Sequence, residues 1–297
     1  MAAQGPAWGD APGNPRTARM GLDAPTVPLA YGATGDPARG DPDYGQDPGG
    51  WARPRRPRRW LRWIIAVIMA LAVLSVATFG VLLLVTPSVH DAPALVRAID
   101  RAHHAAYPGP PVPRLFAESL VATEDHRFYS EPGVDVFAIA RVAAAAVSGH
   151  GDQGGATLYQ QLAKMLYTPG GGGIRAEIEQ VMLGIKLDLG YPKARILRMY
   201  ADVAYFGHGY YGLAAASCGY FGTVPAGLTL PEAATLAGLV QGPSADDPIA
   251  HPARARGREA HVLGRLVSTG KITRARSHAA FAQHLPLVGG SGHGCTS

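Results

Sequence analysis

WIIAVIMALAVLSVATFGVLLLV, residues Trp63 to Val85, is an apolar run without a single charge. As a helix rising 1.5 Å per residue, it crosses a hydrocarbon layer of about 30 Å. Arg53, Arg55, Arg56, Arg58, Arg59 and Arg62 precede it, and no comparable cluster follows closely. A basic cluster in that position reads as a topology signal that keeps the preceding segment in the cytoplasm, not as a nucleic-acid patch. Trp60 and Trp63 stand where interfacial aromatics belong. A cleaved signal peptide would be shorter, nearer the N-terminus and followed by a small-residue cleavage site. Residues 60–86 are therefore expected to be a single transmembrane anchor in the cell membrane, with the chain beyond them extracytoplasmic. That compartment lacks nucleotides, which argues against ATP- or NAD-dependent chemistry.

Outward from the anchor, the two sides differ in composition. Met1 to Gly50 is dominated by Gly, Pro, Ala and Asp. Such a segment buries too little apolar surface to offset its ordering entropy, so 1–59 reads as a disordered cytoplasmic tail. Residues 90–275 read as one domain and 276–297 as a flexible C-terminal tail. Within the domain, helical spacing is expected near 90–107, 115–123, 136–147, 157–166, 175–189, 193–203, 210–220, 231–240 and 252–269, and strand-type alternation is scarce. The fold class is all-α. The Gly-rich stretches at 149–155 and 170–173 lack the Gly-Lys-Ser/Thr of a phosphate loop. Cys218 lies in an apolar helical stretch and Cys295 in a Gly/Ser-rich tail, and no bridge between them is expected. The formal net charge of +5 owes much to the arginine cluster.

Two segments carry candidate chemistry. In Ala122-Thr-Glu-Asp-His-Arg-Phe-Tyr129, adjacent Glu124 and Asp125 close an apolar helix, with Arg127 and Phe128 just beyond. A carboxylate at the end of a buried helix is a candidate for partial desolvation, which raises its pKa toward general-base use. In Gly154-Gly-Ala-Thr-Leu-Tyr-Gln-Gln-Leu-Ala-Lys164, Thr157, Gln160 or Gln161, and Lys164 recur at helical spacing. A hydroxyl, an amide and an ammonium on one face suit an oxygen-rich anion such as a sugar diphosphate. No His/Cys/Asp/Glu spacing specifies a metal, and His103-His104 reads as an exposed pair.

The run Val112-Pro-Arg-Leu-Phe-Ala-Glu-Ser-Leu-Val-Ala-Thr-Glu-Asp-His-Arg-Phe-Tyr129, with Gly133-Val-Asp135, resembles the first motif of the family 51 glycosyltransferases. Gly155 to Lys164 is similar to their second motif, GSTITQQLxK. Lys193 to Leu213, Ala214 to Gly222 and Leu228 to Pro243 continue the likeness, which covers roughly 110–270. The resemblance implies a lysozyme-like helical domain that polymerises lipid II into glycan strands with inversion at the donor anomeric carbon. It implies Glu124 as the base and Lys164 at the diphosphate or sugar. Thr157 and Gln161 would line the sugar subsites, with Asp125, Arg127, Phe128 and Gln160 in the same motifs. The partners it implies are lipid II, the growing strand, the membrane and cell-wall synthases or transpeptidases, with no nucleic acid. No cofactor is obligatory, and a divalent cation, Mg or Mn, is an optional aid to the diphosphate.

The sequence departs from that pattern in the third motif, Arg-Lys-x-x-Glu, which falls on Ala176-Glu-Ile-Glu-Gln180. Gln180 replaces the second carboxylate. One residue rotates a helical side chain by about 100°. Taking Ile178, Val181, Met182, Ile185 and Leu189 as the buried stripe, Glu177 and Gly184 share a flank with Gln180, while Glu179 and Lys186 take the other. Either Glu177 or Glu179 then fills the second catalytic role in a shifted geometry, or the domain is weakly active. Arg175 is the basic residue expected to compensate for the all-glycine 170–173. With the chain ending soon after 270, and Ser268-Thr-Gly-Lys271 lacking companion motifs, a monofunctional enzyme is expected. The alternatives are a lysozyme-like lytic enzyme and a non-catalytic binder of lipid II or of a cell-wall synthase.

Overall fold

The computed structural model describes residues 59–130, 156–288 and 295. Met1–Gly50, most of the arginine cluster, the helix expected at 136–147 and the glycines at 149–155 lie outside them. Ten α-helices occur among the described residues, with one short 3-10 turn at Pro225–Gly227 and an isolated bridge between Tyr205 and Tyr211 in place of any strand. The fold is all-α behind one helix long and apolar enough to cross a membrane.

That helix, α1 (Arg59–Val85), has no buried residue, because its apolar side chains point outward all round. Its last turns meet α5 (Ile174–Gly190), where Phe79, Leu82 and Leu83 pack on Val181, Met182 and Ile185. Lys186 closes the joint by donating from Nζ to the Thr86 and Pro87 carbonyls at 2.7 and 3.0 Å. Those carbonyls follow the end of α1, where a cation is favoured by the helix dipole. The expected stripe on α5 holds at Val181, Met182 and Ile185. Ile178 instead borders a groove beside the anchor, and Leu189 is 79% exposed.

The domain is built around α8 (Leu230–Leu239), all of whose residues are buried. Thr229 and Glu232 form its capping box, with the Glu232 carboxylate accepting from Thr229 N at 2.8 Å. Helices α3 (Arg114–Glu124) and α9 (Pro252–Ser268) pack on it, and α7 (Leu213–Phe221) touches it more lightly. At Gly238 a Cβ would stand 3.1 Å from Arg258 Cβ, so the absence of a side chain sets the α8–α9 approach. Opposite, α4 (Leu158–Tyr167) lies against α5, and α6 (Lys193–Val203) and α2 (Ala92–Ala102) complete the core.

One expectation for the C-terminal part is corrected. After α9, α10 (Arg274–Phe281) is capped by Thr273, whose hydroxyl accepts from Arg276 N, and Leu285 is buried. Arg256 anchors α10 from α9, pairing with buried Glu259 at 2.6 Å, donating to the Phe281 carbonyl and lying over its ring. Cys218 and Cys295 do form a disulfide, with Cα atoms 5.7 Å apart. The chain after α10 runs back along α7, shown by the bond from Val288 N to the Tyr220 carbonyl, and so joins cysteines 77 positions apart in sequence.

Candidate active site

Helix α3 is apolar for most of its length, and its burial carries Glu124, its last residue, to the wall of a cavity of about 570 Å3. The opposite wall comes from α4. Asp125 accepts from Leu158 N at 3.2 Å, placing a carboxylate at the N-terminus of α4, where the helix dipole favours it. Thr157 and Gln160 form a reciprocal capping box on the same helix end. These three residues are thus engaged in holding α4, and none of them lines the cavity. Held this way, α4 projects Gln161 and, three positions on, Lys164 into it.

Gln161 organises the site. Its Nε2 donates to Glu124 Oε2 at 2.9 Å and to the Ala156 carbonyl at 3.2 Å, while its Oε1 accepts from the Tyr200 hydroxyl at 2.8 Å. Tyr200 is buried, and desolvation followed by the charge of Glu124 pushes its phenol above the ordinary range, so it acts as a fixed donor. Tyr205, Gln241 and His261 line the remaining wall. Burial, then the charges of Arg258 and Arg265, hold His261 below the usual imidazole range against the opposing pull of Glu124. It is therefore neutral at pH 7. Arg265 braces the last turn of α3 by donating to the Ala122 carbonyl at 3.0 Å.

The other expected site residues lie elsewhere. Phe128 is buried, stacked on Tyr159 at 5.1 Å, and its carbonyl accepts from Lys193 at 2.5 Å, so it plugs the core beneath the site. Arg127, half-buried, does not line the cavity. On α5, Gln180 donates to the Thr168 hydroxyl at 3.0 Å, and Gly184 rests against Tyr159 and Gln160. This flank therefore faces α4, and Glu177 shares it by helical spacing. Glu179 and Arg175 border a groove of about 530 Å3 between α5 and the end of α1. Glu124 is the one carboxylate lining the cavity among the described residues. No group of metal-ligating side chains occurs among those residues. Sequence reasoning missed Tyr200, Tyr205, Gln241 and His261. Gln241 alone carried a local signal, an amide at the end of the apolar run that forms α8.

Comparison with known proteins identifies the family of the chain. The transglycosylase family profile matches residues 93–267. A Cupriavidus necator protein that carries the name transglycosylase is 36% identical over 176 residues, which are 59% of this chain and 76% of that one. Penicillin-binding protein 1A of Neisseria flavescens is 37% identical over 58% of this chain, and penicillin-binding protein 1F of Bacillus subtilis 34% over 59%. The matched part spans only 22% and 25% of those two longer relatives. The chain belongs to the transglycosylase family, the family 51 glycosyltransferases.

Proposed function

We propose that this protein polymerises lipid II into glycan strands, with Glu124 as general base and inversion at the donor anomeric carbon. The observation that carries the proposal is the Tyr200–Gln161–Glu124 relay on the wall of a cavity that also holds Lys164. With Oε2 engaged by Gln161, the other oxygen of Glu124 is left to accept the proton of the acceptor 4-hydroxyl. The freed oxygen attacks the anomeric carbon, and the bond to the pyrophosphate breaks with its electron pair leaving on phosphate. Lys164 is exposed and has no side-chain partner among the described residues, so its charge is available to that developing anion. A positioned base of this kind is worth about 10²–10⁴ in rate.

Of the two neighbouring carboxylates, Glu177 is the candidate for the second role because it shares the α4-facing flank with Gln180, although it does not line the cavity, whereas Glu179 turns toward the anchor. Arg175, beside that same anchor groove, is suited to a lipid phosphate at the membrane surface. A divalent cation is not required by this scheme. The arginine-rich entry to α1 supports a cytoplasmic N-terminus and an extracytoplasmic cleft, where synthases and transpeptidases that use the strand would be its partners.

Gln180 favours a second reading, a non-catalytic lipid II binder. Purified full-length protein is given labelled lipid II and, separately, intact sacculi, with Glu124→Gln as control. Glycan polymer that disappears in the variant is the expected result. Soluble muropeptides would instead indicate a lytic enzyme, and lipid II binding without product would overturn both enzymatic readings.

A further inference from the structure

A second concavity lies on the outer side of α3, at the end remote from Glu124. Pro111, Val112, Ala117 and Leu197 give it an apolar floor within a volume of about 550 Å3. Arg114, Glu118 and Lys271 belong both to it and to an adjoining pocket of about 210 Å3, floored by Leu115, Leu230, Leu266 and Ile272. The two make one groove. Its rim carries Arg114, Arg198, Lys271 and Arg276 against a single carboxylate, Glu118, which is paired to Arg114 at 2.8 Å. The Arg114 side chain is 87% exposed. Arg198 is held by the Gly109 carbonyl, while Lys271 and Arg276 have no side-chain partner among the described residues. Tyr129, 56% exposed and edge-on to Phe128, stands at one end as a rigid aromatic surface.

We propose that this groove docks an acidic, amphipathic segment of a partner protein on the back of the helix that carries Glu124. Four cations against one carboxylate select an anion, and the aliphatic floor selects side chains rather than a hydrophilic phosphodiester polymer. Exposed Tyr and Arg are the residue types that anchor protein interfaces. Arg114 and Glu124 are ten positions apart on one helix, about 15 Å. An occupant therefore touches the catalytic helix without entering the cleft.

The test uses the full-length protein in detergent micelles and a fluorescent twelve-residue peptide alternating Glu with Leu and Phe. Its Glu→Gln counterpart and inorganic polyphosphate serve as comparison probes. The acidic peptide is expected to bind in a salt-sensitive manner, the Gln peptide at least tenfold more weakly, and the double variant Lys271→Glu/Arg276→Glu about tenfold more weakly. Glu118→Gln should tighten binding about threefold, a gain that misfolding cannot imitate. Lipid II polymerisation without peptide should be unchanged in the double variant. Absent binding, equal binding of the Gln peptide, insensitivity to the charge reversals, or displacement by polyphosphate at matched charge would each overturn the proposal. The peptide measurement stands apart from turnover, so it reads separately from the proposed reaction.

Discussion

Gln161 commits its amide to three protein groups, and this makes the orientation of Glu124 depend on Tyr200 as well. Tyr200→Phe removes one donor and leaves Gln161 Oε1, on the half-buried wall of the cavity, without its protein partner, at a cost of about 1 kcal/mol locally. We expect kcat to fall about tenfold with little change in KM, measured on labelled lipid II. Asp100 poses a different residue-scale problem. It is buried, neither of its oxygens finds a hydrogen-bond partner among the described residues, and burial followed by the charge of Asp202 pushes its carboxyl up to about 7. The unfolded chain releases that proton near the ordinary 3.8, so folding takes up a proton between about pH 4 and pH 7. Its contribution to stability is fully present at low pH and is lost as pH rises through 7. Asp100→Leu should therefore raise Tm at pH 8 by several degrees and by less at pH 4, as read by calorimetry. Glu124, Gln161 and Lys164 were legible in the sequence because they sit inside two short motifs. Tyr200 and His261 were not, since each reaches the cavity from a helix whose local pattern reads as ordinary core.

Between elements, the Lys186 joint decides how the anchor meets the domain. Helical spacing alone put Glu179 and Lys186 on one flank of α5 and Gln180 and Gly184 on the other, and the structure keeps that division: one flank meets α1, the other α4. The apolar stripe was less legible at its end, because helical spacing does not say what packs on each position, and Leu189 is left uncovered. Lys186→Met keeps the length of the side chain but gives up both carbonyl contacts. It should leave the Tm of the domain within about 1 °C, since the core around α8 is untouched. Turnover in bilayers should fall several-fold while turnover of detergent-dispersed lipid II changes little, and comparing the two assays checks it. Lys186→Arg should restore most of the loss.

For the molecule as a whole, the disulfide is the feature that sequence spacing concealed. Cys218 sits on α7 and Cys295 beyond α10, and only the return of the chain along α7 brings them together. Closing so long a loop is worth about 2–4 kcal/mol by restricting the unfolded chain. Cys218→Ala, or reduction by a thiol reagent, should lower Tm by about 4–16 °C at the usual 2–4 °C per kcal/mol. Such a bond persists in oxidising surroundings. The all-α class and the single span were readable because hydrophobic periodicity is a local property. The disulfide and the docking of α10 were not, being products of chain return.

Lys186 and the packing of Phe79, Leu82 and Leu83 on α5 clasp the domain to the end of its anchor. With the proposed lipid II as substrate, an anchored cleft meets it by collisions in the plane of the membrane. The quantity that governs its rate is the number of substrate molecules per unit area, so diluting lipid II with inert phospholipid should slow the enzyme even when the bulk concentration is held constant.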